Sequence, residues 1–600
     1  MHTMKPFGTT ERFFYFYPFH QALQAMRTII SVLSILTLTT MSQAQIPSLY
    51  LENKTPTYDE TIAYFKHIDS MCDYMQMRSY GTTDAGFPLD VLVIDGDKQF
   101  TPEAARAAGK AILLINNGIH PGEPDGIDAC IQLITQYAGA GDLKSALEGL
   151  VICIIPVYNI DGALNRNSTT RVNQEGPESY GFRGNGRNYD LNRDFVKCDT
   201  RNSKSFAEIF HLWDPDIFVD THVSYGADYQ YVLTLIPTQH NKLTPPLGAL
   251  LKNDMLPSLY KAMEGKGFPM CPYVNEVDRI PDNGIAGFLD HGRYSTGFTA
   301  LFNTIGFMPE THMLKPYPQR VASTLAFIEV VIDYIQANRS AIIQARAVAK
   351  QTVIQADTFN FQWKLDTEQQ ESFMFNGYAA KFKKSDVSGL DRLWYDRNEP
   401  FTKPIPFFDT YTPTLSIVAP EAYIVPQAWL PVIERLQWNG VRMERLEKDT
   451  AISVESYYIT GFDSVDRPWE GHYFHSNVKV RKVTETLNFM KGDYIIPLNQ
   501  ESNLYIVQVL EPQAPDAFFA WGMMDAVLQQ KEWFSDYVFE DLAAEILQQD
   551  PQLRNMLNEA MIADPSLKND AEGQLAFVFE HSKYKEPTHN RYPIARIVKK

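Results

Sequence analysis

Three stretches constrain this chain more than any others: residues 111–115, 151–155 and 217–219 are unbroken apolar runs. A strand with one wet face alternates apolar and polar residues. A run without alternation is buried on both faces, as in a parallel sheet covered by helices. Parallel strands need helical crossovers, and one is readable between the first two runs, where apolar residues at 127, 130, 131, 133 and 134 predict a helix over 126–137. Further strands are predicted at 89–94, 231–235 and 298–302, helices at 57–74 and 318–351, and an Ala-rich turn at 102–108. The expected fold class is α/β, a mixed, mostly parallel central sheet flanked by helices.

Six hundred residues exceed what one compact core usually holds. Past residue 355 the pattern changes to strand-like pieces (452–458, 494–497), many aromatics and Pro-bounded turns, without a repeat. The reading is a catalytic unit over 45–350 and a smaller β-rich or α+β C-terminal domain of unknown role over 351–600, with the boundary between 340 and 365. A net charge of −18 argues against nucleic acid or an anionic membrane as the main partner. The five cysteines, with no CxxC pair, offer neither a disulfide framework nor a thiolate metal site; Cys130 and Cys153 lie in apolar periods and read as core.

Residues 1–44 read as a signal peptide: Arg27, a short apolar stretch over 28–41, then Ser42-Gln43-Ala44, with cleavage expected before Gln45. The stretch is short for a membrane span, although an anchor or an internal helix is the competing reading. Met26 can serve as the true start, leaving 1–25 as an over-extended frame. Export to a bacterial periplasm or the extracellular space is expected, with no stable membrane insertion once the signal is removed.

The first apolar run opens into Asn116-Asn117-Gly118-Ile119-His120-Pro121-Gly122-Glu123. A histidine and a carboxylate three residues apart at a strand mouth can reach one metal ion, and catalytic zinc usually takes three such ligands and keeps one position open. The best third ligand is His222, at the end of the run 217–219, because in open α/β sheets functional groups gather outside the carboxyl ends of strands. Between them lie Asn159-Ile160-Asp161-Gly162, Arg171 and Asp190-Leu191-Asn192-Arg193-Asp194-Phe195, and later comes Glu310 in Gly306-Phe307-Met308-Pro309-Glu310-Thr311-His312.

In that order these motifs resemble the zinc metallocarboxypeptidases typified by pancreatic carboxypeptidase A, the M14 peptidases, over about residues 60–340. The resemblance implies one zinc ion on His120, Glu123 and His222, and Glu310 as general base. It implies Asn192 and Arg193 as the clamp for a substrate's terminal carboxylate, and Tyr294 as the cap over it. Arg171 would stabilise the oxyanion, with Arg183 and Arg187 as alternatives. Ile160 in place of the turn's usual proline, Asp194 where asparagine is commoner, and a short Arg193-to-His222 spacing mark a distant branch and leave specificity open. His312, two residues past Glu310, is a candidate to orient it, and Trp429, Trp438, Trp469, Trp521 and Trp533 to line a groove, although aromatics so spaced are more often core. The implied activity is hydrolysis of a peptide or amide bond next to a free C-terminal carboxylate, with a peptide or peptide-like partner. Competing readings are a peptidoglycan-peptide or N-acyl amino-acid amidase with the same zinc site, and a non-catalytic binding protein on the same fold. Oligomeric state is not legible.

Overall fold

The computed structural model describes residues 45–598, so the signal-peptide reading of 1–44 lies outside the described residues. The central sheet contains β1 (Met75–Tyr80), β2 (Leu89–Asp95), β3 (Ala111–Asn116), β4 (Leu150–Ile155), β5 (Ile217–Asp220), β6 (His222–Ser224), β7 (Leu233–Pro237), β8 (Met270–Pro272) and, after a short strand β9 (Ile285–Ala286) that pairs elsewhere, β10 (Ile305–His312). Their order is β1-β2-β4-β3-β5-β10-β7-β8, with β6 also paired to β10. The middle of the sheet, β4-β3-β5-β10, is parallel, and its flanks are antiparallel where β2 meets β4 and where β7 meets β10.

The apolar runs are buried along their length, and alternate residues serve two cores. Leu113, Ile115, Ile152, Ile154 and Val219 pack against the helices Tyr58–Met71, Asp125–Ala138 and Tyr317–Gln355. Ile112, Leu114, Val151, Cys153 and Phe218 face the other way, towards the helix Arg201–Trp213 and the C-terminal region. Cys130 and Cys153 are core residues, and all five cysteines are buried and unpaired. The first helix is fixed by a capping box, in which Thr57 accepts from the Glu60 N–H while Glu60 accepts from the Thr57 N–H.

Two local expectations are corrected. Residues 102–107 form a helix, started by Thr101 accepting the Ala104 N–H. Residues 298–302 are not a strand: the helix Ser295–Ala300 and the turn after it place Phe298, Leu301 and Phe302 on one face against the second core. Spacings of three and four in so short an apolar run cannot be told from a buried strand by periodicity alone.

The expected boundary near residue 350 falls inside the 39-residue helix Tyr317–Gln355. Its last turns and the region beyond it share the sheet's second core, where Val353 joins Tyr423, Tyr505 and Phe518. Phe302 stacks on Tyr505 at 5.3 Å, and Asn503 Nδ2 donates to the Val353 carbonyl at 3.1 Å. Beyond it lie a strand pair, β11 (Thr358–Leu365) with the strand Tyr411–Val418, and the long hairpin β12 (Glu371–Lys384) and β13 (Asp391–Phe408), which is anchored through β13 to β9. A six-stranded sheet follows, and the helices Asp536–Gln549, Pro551–Ala563 and Ala571–Glu580 enclose a small core of their own.

Candidate active site

The site is built where β3 and β5 end side by side. Asn116 and Asp220 are cross-strand partners, and Asn116 Nδ2 donates to Asp220 Oδ1 at 2.9 Å, pinning the two strand ends together. The chain leaving β3 turns at Gly118, whose φ of 64° is cheap only for glycine. It then presents His120 and Glu123. At Gly122 a Cβ would come within 2.6 Å of Arg171 Cδ, so the bare glycine lets that arginine lie across the turn and reach Glu123.

His120, Glu123 and His222 are buried and offer ligand atoms that all lie within 4.8 Å of one another. The Nδ1 atoms of both histidines stand 3.3 Å from Glu123 Oε2. Each imidazole is held from behind through its other nitrogen: His120 Nε2 meets Asp190 Oδ1 at 2.9 Å, and His222 Nε2 meets Asp220 Oδ2 at 2.9 Å. A carboxylate on Nε2 fixes the ring and turns Nδ1 to the centre, which is how ligating histidines are commonly oriented. His120 Nδ1 makes no hydrogen bond although it is buried. An orphaned buried nitrogen facing a carboxylate and a second imidazole fits a divalent cation with N and O ligands.

The charges are strongly coupled. Burial opposes ionisation of Glu123, yet His120 and Arg171 overcome it and hold its carboxyl well below the usual range. Its Oε1 accepts from Arg171 Nη1 at 2.9 Å, and its Oε2 accepts from the Val223 N–H at 2.9 Å. Burial likewise resists a charged His222, but Asp220 wins and raises its pKa well above the ordinary value.

Glu310 sits on β10 directly across from His222 in register. Burial pushes its carboxyl up to about 7, with His222 pulling the other way and the charge of Glu123 adding to the rise. A base poised near neutrality is what proton transfer at pH 7 requires.

A cleft of about 660 Å³ joins this cluster to Arg171, Arg183, Asn192, Arg193, Tyr294 and Glu310. All eight residues singled out from the sequence therefore meet in one place. Asn192 and Arg193 lie on a short 3-10 turn, Leu191–Arg193, started by Asp190 accepting the Asn192 N–H. Asn192 Oδ1 accepts the Ser295 N–H at 3.0 Å, which brings the neighbouring Tyr294 ring to 4.6 Å from the Arg193 guanidinium. Of the alternative arginines, Arg183 reaches the cleft and bonds Asp190 Oδ2 at 2.9 Å. Arg187 does not: it donates to the Asp199 carbonyl at 2.8 Å beside a separate recess.

His312 is not an orienter of Glu310. Its Nε2 bonds the Ala227 carbonyl at 2.9 Å and its Nδ1 accepts the Leu314 N–H at 3.1 Å, so both ring nitrogens are engaged by the backbone. Of the tryptophans, Trp469 lines the cleft while Trp521, stacked on it at 5.4 Å, is core. Sequence reasoning missed the roles of Asp190 and Asp220. Asp220-x-His222 was a usable signal, whereas nothing pointed to Glu470, whose Oε2 accepts the Asp190 N–H from 280 residues away.

Fold and site together resemble those of metallocarboxypeptidase-type hydrolases. Residues 61–214 match the family model described as zinc carboxypeptidase. That stretch and the order of the site residues make the chain similar to enzymes of the zinc carboxypeptidase type. His222, Tyr294 and Glu310 lie beyond the matched stretch; the sheet brings His222 and Glu310 to it, and the Ser295–Asn192 bond brings Tyr294. Among curated proteins the chain is similar to carboxypeptidase 2 of Trichophyton rubrum, at 22% identity over 494 residues, 78% of this chain and 84% of that one. It is similar also to carboxypeptidase 2 of Trichophyton equinum, at 22% over 501 residues, 78% and 84% of the two chains. Among solved structures, a metallo-carboxypeptidase from Burkholderia cenocepacia aligns with a TM-score of 0.36 and 16% identity, covering 48% of this chain and 71% of that one.

Proposed function

We propose that this enzyme hydrolyses the peptide or amide bond next to a free C-terminal carboxylate, using one zinc ion held by His120, Glu123 and His222. The observation that carries the reading is the pair of Nδ1 atoms turned onto Glu123 by Asp190 and Asp220, with Glu310 in register on the adjoining strand. The ion would supply a Lewis acid and make water a nucleophile near neutral pH.

The chain's own residues do the rest. Arg193 with Asn192 receives the terminal carboxylate, for which a guanidinium fork is matched in shape. Tyr294, against Arg193, covers that end and excludes water. Glu310 takes the proton of the attacking water and returns it to the leaving amine. Arg171 stands beside the cluster as donor to the carbonyl oxygen as it gains charge. Arg183, also in the cleft, is held mainly by Asp190.

The test is release of one amino acid from peptides with a free C-terminus but not from the matching peptide amides, abolished by chelation and restored by zinc. Equal cleavage of the amides would contradict it. The N-terminal pattern supports export, for which mature protein beginning at Gln45 is the expected finding. We read the region after 351 as a part that completes the cleft and packs on the catalytic sheet.

A further inference from the structure

The C-terminal region sends one tight turn, residues 469–472, to the mouth of the cleft, where Trp469 and Glu470 are wall residues. The turn is closed by two bonds between Trp469 and His472, N–H to carbonyl at 2.8 Å and 3.0 Å. It is clamped to the catalytic unit by His472 Nε2 on Asp199 Oδ2 at 2.6 Å. Gly471 is packed so closely that a Cβ there would meet the Tyr189 hydroxyl at 2.4 Å. Within this turn Glu470 adopts a φ of 49°. Glutamate in the left-handed region is uncommon, and such strain persists only where the surroundings impose it, often at functional sites.

Four carboxylates line the cleft: Glu123, Asp190, Glu310 and Glu470. Glu123 is neutralised by Arg171 at 2.9 Å, and Asp190 by Arg183 at 2.9 Å and His120 at 2.9 Å. Glu310 is committed to proton transfer. Glu470 alone among the remaining three has no ion-pair partner among the described residues, its one bond being Oε2 to the Asp190 N–H at 2.8 Å. That bond fixes the carboxylate one turn away from Arg193, whose guanidinium approaches Asp190 at 3.8 Å.

Building on the carboxypeptidase reading, we propose that Glu470 is a specificity-determining residue that selects a cationic side chain on the residue to be released. A substrate end placed on Arg193 by its carboxylate would set that side chain beside a pinned, unpaired carboxylate. A lysine or arginine there gains a charge-assisted bond, an acidic side chain is repelled, and an apolar one gains nothing from Glu470. The cations that act on Glu470 are Lys197 and Arg193; Lys197 is already paired with Asp194 at 2.6 Å and Asp199 at 3.0 Å, and Arg193 is the group that receives the substrate's own carboxylate.

The test uses the full zinc-loaded chain and N-acylated dipeptides ending in lysine, arginine, leucine or glutamate. The expected order of kcat/KM is lysine and arginine above leucine by about tenfold or more, with glutamate lowest. In Glu470→Gln, kcat/KM for the basic ends falls about tenfold more than for leucine, through KM. In Glu470→Lys the order reverses in favour of glutamate. Calorimetric binding of free lysine and leucine to wild type and Glu470→Gln reads the same preference without turnover. Lysine binding that is tight and Glu470-dependent in a chain that cleaves nothing would overturn the hydrolase reading and keep this one. Equal losses across all four ends, a wild-type preference for leucine or glutamate, or selectivity that follows the penultimate residue instead would each overturn the assignment.

Discussion

The floor of the cleft and its rim are made in opposite ways. On the floor, His120, Glu123, His222 and Glu310 stand at or beside the ends of β3, β5, β6 and β10, and every imidazole has a carboxylate behind it. At the rim, Arg193 is held by a bond to the Asn192 carbonyl at 2.8 Å, by Asp190 at 3.8 Å and by the Tyr294 ring, and the wall is finished by a turn from residues 469–472. The floor derives its geometry from a sheet that would form whatever the substrate. The rim depends on how distant segments pack, so it is where one member of a fold can differ from another without disturbing the chemistry.

The sharpest way to separate the two is Glu310→Gln. Loss of the base is expected to lower kcat by roughly 10²–10⁴-fold while zinc content by mass spectrometry stays at one per chain. Next come Asp190→Asn and Asp220→Asn, which remove the carboxylates that orient the two imidazoles. Each is expected to weaken zinc affinity by about 10–100-fold in chelator competition. A fall in activity at full zinc occupancy would instead move these residues from metal positioning to chemistry.

Arg193→Lys tests the rim. The ammonium keeps the charge but loses the planar fork, so KM is expected to rise about tenfold with kcat less affected. A change confined to kcat would mean that Arg193 acts on the transition state.

The smallest effect is one of stability, behind the floor. Asp128 is buried, with the Thr55 and Tyr317 hydroxyls both donating to its Oδ2 at 2.6 Å. Burial pushes its carboxyl from 3.8 up to about 7, against those two hydroxyls and aided by Asp125. Because the folded value is the raised one, its contribution to stability is whole below pH 3.8 and is lost as pH climbs towards 7. Asp128→Asn, uncharged throughout, is expected to melt higher than wild type at pH 8, by about 1–2 kcal/mol, with the gap closing towards pH 4. A gap independent of pH would show that Asp128 is not the titrating group.

What the sequence made legible follows the same division. The strands β3 and β5 announce themselves as apolar runs, each followed within a few residues by the group it positions, so His120, Glu123 and His222 could be found in order, whereas β10 was not read as a strand and the role of Glu310 came through the family resemblance. Tyr294 and Arg171 were reachable only through the family resemblance. Glu470 was beyond reach, because it meets Asp190 across 280 positions and its own neighbourhood carries no periodic signal. The error at 298–302 has a related cause: Phe298, Leu301 and Phe302 are too few to show whether their spacing is helical or extended.

The central claim is that two imidazoles and one carboxylate from separate strand ends take a single zinc ion through Nδ1, Nδ1 and a carboxylate oxygen. Anomalous diffraction at the zinc edge from crystals of the metal-loaded chain tests it most directly. One strong peak is expected, bounded by His120, Glu123 and His222, with Asp190 and Asp220 still on the Nε2 atoms. Zinc located elsewhere in fully loaded crystals, or bound through Nε2 after release of those aspartates, would contradict it.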